Sequence, residues 1–431
     1  MRDYFLVLAV LIYLGMTMIR PFSGVLLWGW FTIMNPHQEA YGFARTFPFN
    51  AIIAVLTMGA WMMSKEPKLP RYNIIYPLIF IFIVWITINS FFAVLPSWSW
   101  PLWDRTWKIY AFGIIAATLT LNKNRFHSLM WIVVISIGYY SFKGGVFTLM
   151  TGGNYHVFGP PSTIIGDNNQ LALAVVMTLP FMNYLYFNSE RIYVRFILIF
   201  GGIFSVITVL GSYSRGGVIA LSALAVMFWL RSRRKVVSLL ALAAFGGPAL
   251  LFMPDSFYER VHSIVNYNQD ASVIGRFDAW KVAYFYARDH FPFGAGFAGP
   301  QLNFVFDYYL PGAENHAAHS IYFQVLGENG FVGLFIYLLI LMFAYFNIIW
   351  IIRRSRGVDG LEWAHDLGWA MLLSMASFCI GGAALSMAYY DIFILIICLS
   401  GALRTLVSLS LDQASTQSTS SQPHNPRKAI V

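Results

Sequence analysis

"FVGLFIYLLILMFAYFNIIWIIRRSR", residues 331–356, carries no charged side chain before Arg353 and then gains three arginines within four positions. A helix needs roughly 20 apolar residues to cross about 30 Å of hydrocarbon. Only helices and closed barrels satisfy their own backbone polar groups there, so this run predicts a transmembrane helix with its basic end in the cytoplasm. The rest of the chain follows suit. With 58% hydrophobic, 18% aromatic and 11% charged residues over 431 positions, a soluble globular domain is excluded.

Further apolar runs fall at 48–64, 74–94, 107–122, 127–149, 168–188, 194–211, 216–231, 236–252, 366–386 and 391–409, and the quoted run extends back to 320. Residues 4–35 are split by Arg20 and Pro21 into two short pieces. The expectation is an all-α polytopic membrane protein with twelve or thirteen transmembrane helices. Lys65, Lys68 and Arg71, then Lys123 and Arg125, Arg191 and Arg195, "RSRRK" 231–235 and "RRSR" 353–356 mark every second connection as cytoplasmic. The outer connections are then 36–47, 95–106, 150–167, 212–215, 253–319 and 387–390.

This pattern accounts for most of the +9 formal charge, so no nucleic-acid partner is implied. Cys379 and Cys398 lie inside the last two spans and do not resemble a disulfide framework or a metal site. No cleavable leader is expected. Four regions result: an N-terminal transmembrane bundle 1–252, one large outer loop 253–319, C-terminal transmembrane helices 320–410, and a Ser/Thr/Gln-rich disordered cytoplasmic tail 411–431.

The loop is far longer than ordinary connections and rich in Trp, Phe and Tyr, which argues for function over disorder. Within it "GRFDAWKVAYFYARDHF" has helical spacing: Arg276, Trp280, Ala283 and Ala287 share one stripe, Phe277, Lys281, Tyr284 and Arg288 the next. An amphipathic helix along the outer membrane surface is expected. The glycines of "FPFGAGFAGPQ" then permit close backbone approach to a ligand or an ordinary return turn. "GSYSRGGV", 211–218, sets Arg215 at a helix start, a position suited to an anion or to headgroup contact. "IIGDNNQ" puts Asp167, Asn168 and Asn169 at another helix start, as caps or as ligand contacts. "ENHAAHS" brings Glu314, His316 and His319 to the mouth of the long run. No metal-ligand spacing, phosphate loop or nucleophile elbow is visible, so neither metal nor cofactor is expected.

"YSRGG", "GRFDAW", "FPFGAGF" and "AHSIYFQVLGENGFVGLFIYLLIL", in this order, resemble the O-antigen ligase and polymerase superfamily. "RPFSGVLLWGWFTIMNPHQEAYGFA" further resembles its exosortase-associated O-glycosylation ligase branch. The resemblance implies about twelve spans, a large periplasmic loop, a bacterial inner-membrane location and transfer of a glycan from undecaprenyl diphosphate to an acceptor hydroxyl. It matches the family's two arginines to Arg215 and Arg276 and its histidine to His319; the family's His-Asn is His319-Ser320 here.

The residue chemistry fits. Bidentate guanidinium groups would bind the donor diphosphate and stabilise it as it departs, and an imidazole of pKa about 6.5 would accept the acceptor proton. His316, Glu314, Arg288, Asn169 and Trp280 are supporting candidates. One base without a second carboxylate favours inversion. Lipid A-core oligosaccharide is the first acceptor considered; protein hydroxyls and a growing glycan are the alternatives. Surrounding membrane lipids complete the partners. A lipid-linked glycan transporter is the rival from another class, and it would keep charges near the midplane. Lys143 alone reads that way.

Overall fold

A computed structural model describes residues 2–232, 234–255, 257–258 and 271–420. The described chain is helical without a strand: α1 Arg2–Ile19, α2 Pro21–Met34, α3 Phe49–Met63, α4 Ile75–Phe91, α5 Pro96–Leu119, α6 Lys123–Met150, α7 Asn168–Phe187, α8 Ile192–Gly211, α9 Arg215–Arg231, α10 Lys235–Leu251, α11 Ala271–Asp289, α12 Asn303–Tyr309, α13 Ile321–Arg354, α14 Glu362–Gly381 and α15 Asp391–Ser420. Among the described residues, seven helices are long and apolar enough to cross a membrane, and α2, α3 and α4 are shorter apolar helices. The protein is an all-α polytopic membrane protein.

Contacts between connections sort the helix ends into two faces. One face joins Val94 N to Ala295 O (3.0 Å) and Val157 N to Gly211 O (2.9 Å). On it Asn168 Nδ2 also donates to Ser212 O (2.7 Å), and Ala388 N to Gln324 Oε1 (3.1 Å). The other face holds the ion pairs Arg125–Glu66 and Arg231–Asp366, and Arg404 donates to Asn347 there. The basic clusters that the sequence assigns to alternate connections gather on this second face. Asp3 accepts from Gly42 N and Ala44 N, both at 3.1 Å, so α1 and α2 form a hairpin that returns residue 3 to the first face.

Lys143 is not a lone charge at membrane depth. It pairs with Glu39 at 2.9 Å on the first face, which removes the one feature that favoured a transporter. The stretch 95–106, expected as an outer connection, is helix from Pro96 onward. Proline suits the first helical turn, where its missing N–H costs nothing.

α7 and α15 run through the centre of the bundle, lined by Ala172, Ala174, Cys398 and Ser400. Small residues let backbones approach where hydrocarbon offers no hydrophobic drive.

The helix from Ile321 is not continuous either. Gly330 has φ 70° and ψ −177°, breaking α13 nine residues below its start. Residues 291–298 fill the break. Ala295 N donates to Gly327 O (2.8 Å) and Gly296 N to Glu328 O (3.0 Å). Asn89 Nδ2 reaches Glu328 O (2.7 Å) and Trp85 Nε1 reaches Asn329 O (2.8 Å). A β-carbon on Gly294 would strike the Glu328–Asn329 backbone, and one on Gly330 would strike Pro292 and Phe293. The close approach expected of "FPFGAGF" is therefore to another helix.

The disordered tail expected from 411 begins as helix up to Ser420. Residues 421–431, and 259–270 of the large loop, lie outside the described residues.

Candidate functional site

Arg215 opens α9. Ser214, in extended conformation, caps that helix by accepting from Gly217 N at 2.9 Å, which satisfies one of the free N–H groups of the first turn. Tyr213 turns the chain with φ 57°, so the whole reversal from α8 takes three residues. Arg215 is only 8% exposed. Beside it α7 begins, its Asn168 bound to Ser212 O and its Asp167 Oδ1 accepting from Asn169 N and Nδ2, both at 2.9 Å. Two helix N-termini thus stand together on one face, and their positive ends add to the guanidinium.

Arg276 arrives from the large loop. On α11 the stripe 277, 281, 284 and 288 is exposed as the spacing predicts; of the other predicted stripe Ala283 and Ala287 are buried and Arg276 and Trp280 half-buried, because the buried face is wider and centred on 275, 279, 282, 283, 286 and 287. The extended segment 316–320 lies along the buried side: His316 packs so tightly on Gly275 that any β-carbon there would collide with the imidazole. Trp280 Nε1 donates to Ala318 O at 2.6 Å, and its ring stacks on Phe323 with centroids 4.8 Å apart and planes 4° apart.

His319 follows with φ 43°, a left-handed backbone for a residue with a side chain. Gln324 N then donates to Ser320 O (2.8 Å) and α13 is under way. Ser320, which follows it, is buried. Burial first, then the Arg276 guanidinium and to a lesser degree His316, hold the His319 imidazole below its ordinary pKa, against the attraction of Asp167.

The structure therefore brings together His319, Arg276, His316 and Asp167, with Trp280 behind them and Arg215 on the same face. It does not bring in Arg288 or Glu314. Arg288 points off the exposed stripe of α11 and pairs with Asp289 at 2.7 Å, because twelve residues turn a helix about 120° away from Arg276. Glu314 is exposed at the start of the segment that leads into His319, and Asn169 reaches the group through its hydrogen bond to Asp167.

Two relations went unread in the sequence. Asp167, read there as a cap or a ligand contact, acts through its charge on His319, where a site without a second carboxylate was expected. Its signal was the acidic cap of "IIGDNNQ", which also serves a helix start and so does not announce a partner. Glu328, 7% exposed, accepts from Tyr389 Oη (2.9 Å) and Ala298 N (3.2 Å), while Tyr389 Oη accepts from Asn329 Nδ2 (2.7 Å). A carboxylate and an amide between two glycines inside an apolar run were the available signal for that junction.

Among the described residues no three His, Cys, Asp or Glu side chains gather as metal ligands. A small cleft lined by Pro67, Arg71, Tyr76, Thr120 and Thr405 among others lies at the opposite face and holds none of these residues.

Residues 200–338 match the family described as O-Antigen ligase, a segment that includes Arg215, Arg276 and His319. Residues 1–189 match a family of unknown function, DUF5935. No curated protein matches the chain.

Proposed function

For this chain, which belongs to the O-antigen ligase-like superfamily, we propose transfer of a glycan from undecaprenyl diphosphate to an acceptor hydroxyl, with lipid A-core oligosaccharide as the acceptor. The carrying observation is that Gly275, next to Arg276, packs on His316 while Trp280 holds Ala318, so that α11 brings Arg276 and His319 together on the face where Arg215 opens α9.

The acceptor oxygen attacks the anomeric carbon while the His319 imidazole takes its proton. The bond from that carbon to the phosphate oxygen breaks, and its electron pair leaves with the diphosphate. Arg215 and Arg276 balance the developing charge, each able to grip two phosphate oxygens in a site partly screened from water. Attack opposite the leaving group inverts the anomeric centre. Asp167 accepts two hydrogen bonds as a cap, and its charge favours the imidazolium that forms when the proton arrives.

The setting we propose is the bacterial cytoplasmic membrane with the His319 face toward the periplasm. The gathering of the basic clusters on the opposite face supports this. Single cysteines at Asp307 and Arg356, both exposed, test it: a membrane-impermeant thiol reagent is expected to label the first from outside and the second only after permeabilisation. Labelling in the reverse order rejects the orientation. The reaction itself is tested by giving the purified protein a carrier-linked glycan together with lipid A-core, a protein acceptor or a second carrier-linked glycan in separate mixtures. A glycosylated lipid A-core with inverted linkage is expected. Product only with one of the other acceptors would keep the donor chemistry and replace the acceptor.

A further inference from the structure

Trp280 lies one helical turn beyond Arg276 on the same stripe of α11. Its one polar atom, the indole N–H, is spent on the carbonyl of Ala318, the oxygen of the peptide that leads into His319. The parallel stack on Phe323 adds an apolar contact along the face of the ring. His319 sits immediately after that peptide in a left-handed conformation, which residues with a β-carbon avoid unless neighbours hold them there. Histidine enters this region more readily than most residues with a β-carbon, but it does so without the ease of glycine, so the conformation still needs support from its neighbours. The contact that fixes it comes from another helix.

We propose that Trp280 is a positioning residue: its N–H pins the Ala318–His319 peptide, so that one turn of α11 sets the spacing between the Arg276 guanidinium and the His319 imidazole. This rests on the assignment of His319 as the base. The consequence is specific. Removing the N–H should leave donor binding alone and disturb the proton transfer.

The test replaces Trp280 with benzothienylalanine, which keeps the shape and the stack but carries sulfur in place of N–H, and with Phe as the simpler variant. Turnover is expected to fall about threefold to tenfold, as for loss of one neutral hydrogen bond. KM for the carrier-linked donor should stay within about twofold, since the two arginines are untouched. The groups that act on His319 are Arg276 from α11, Asp167 from the start of α7 and His316 from its own segment. Loosening that segment exposes the imidazole, so the acid limb of the kcat–pH profile should move to higher pH in both variants. Phe323→Leu, which spares the N–H, should keep most of the turnover and the wild-type profile.

Wild-type kcat in the benzothienylalanine protein, a loss that appears in KM alone, or a Phe323→Leu variant equal to Trp280→Phe would each overturn the proposal. His319→Ala is measured alongside. If that variant turns over, the base assignment itself fails. If it is dead while the benzothienylalanine protein is normal, only the positioning role falls.

Discussion

The two arginines of the site are held in opposite ways. Arg215 is placed by its own neighbourhood: a three-residue reversal, a serine cap, and a helix that starts at the arginine itself. Arg276 is placed from afar. Its helix belongs to a long loop, and the contacts that fix it come from His316, Ala318 and Phe323 on one side and from the junction at Gly330 beyond its C-terminal end. One half of the proposed anion site is thus a local motif and the other a tertiary assembly. The first half should tolerate distant changes and the second should not.

The largest effect tests what both halves serve. His319→Ala is expected to lower turnover by about 10² to 10⁴ through loss of proton transfer while the donor still binds; His316→Ala should cost much less, because His316 packs against Gly275 beside the reaction. Since the imidazole works as a base only when neutral and its pKa is held down by burial and Arg276, wild-type kcat/KM should fall on acidification only below the ordinary histidine value of about 6.5. A pH–rate profile checks this, and an acid limb above that value would contradict the placement of the imidazole.

Next come the arginines themselves. Arg215→Ala and Arg276→Ala should each cost about 10² to 10³ in kcat, the size seen when one donor to a developing negative charge is removed. Lysine should restore only part, lacking the bidentate fork. Full transfer by Arg276→Ala in folded, membrane-inserted protein would remove the distant half of the site from the mechanism.

Gly294→Ala separates the halves most directly. The added methyl would meet the Glu328–Asn329 backbone, so the loop must leave the break in α13 and release the C-terminal end of α11. A reduced yield of folded protein is expected, with kcat in the surviving fraction lowered while a donor-derived photo-crosslink to α9 persists. Loss of both crosslinks, to α9 and to α11 alike, would mean the two arginines are not independently held.

The smallest effect is local. Ser214→Ala removes the cap on Gly217 and should cost about 0.5–2 kcal/mol of helix stability. Thermal unfolding in detergent would report it, and an unchanged midpoint would show that tertiary packing alone holds Arg215.

The same contrast explains what was legible beforehand. The two faces could be read because lysine and arginine follow the membrane's sidedness. The α11 stripes could be read because helical period is local. The start of α5 was missed because "PSWSWPLWDRTW" has too many polar residues to score as a span, although Pro96 marks a helix start. The break at Gly330 was missed because hydropathy averages over side chains and is blind to a reversal of φ. Asp167 and His319 stand 152 positions apart, and only the packing of α7 near the head of α13 brings their charges together. Arg276 and Arg288 are equally basic, and the helical turn between them separates a site residue from a surface one.

The junction in α13 also bears on electrical insulation. A helix that loses its backbone ladder about 13 Å below its start would ordinarily admit water to groups left without partners, and a file of water is a path for protons. Here Gly327 O, Glu328 O and Asn329 O are each taken by a protein donor, from Ala295, from Gly296 and Asn89, and from Trp85. The break is thus closed by protein donors at each of these carbonyls, which leaves them no need of a water partner. On the proposed reaction, the departing diphosphate would lie a few helical turns above a backbone that is sealed in this way.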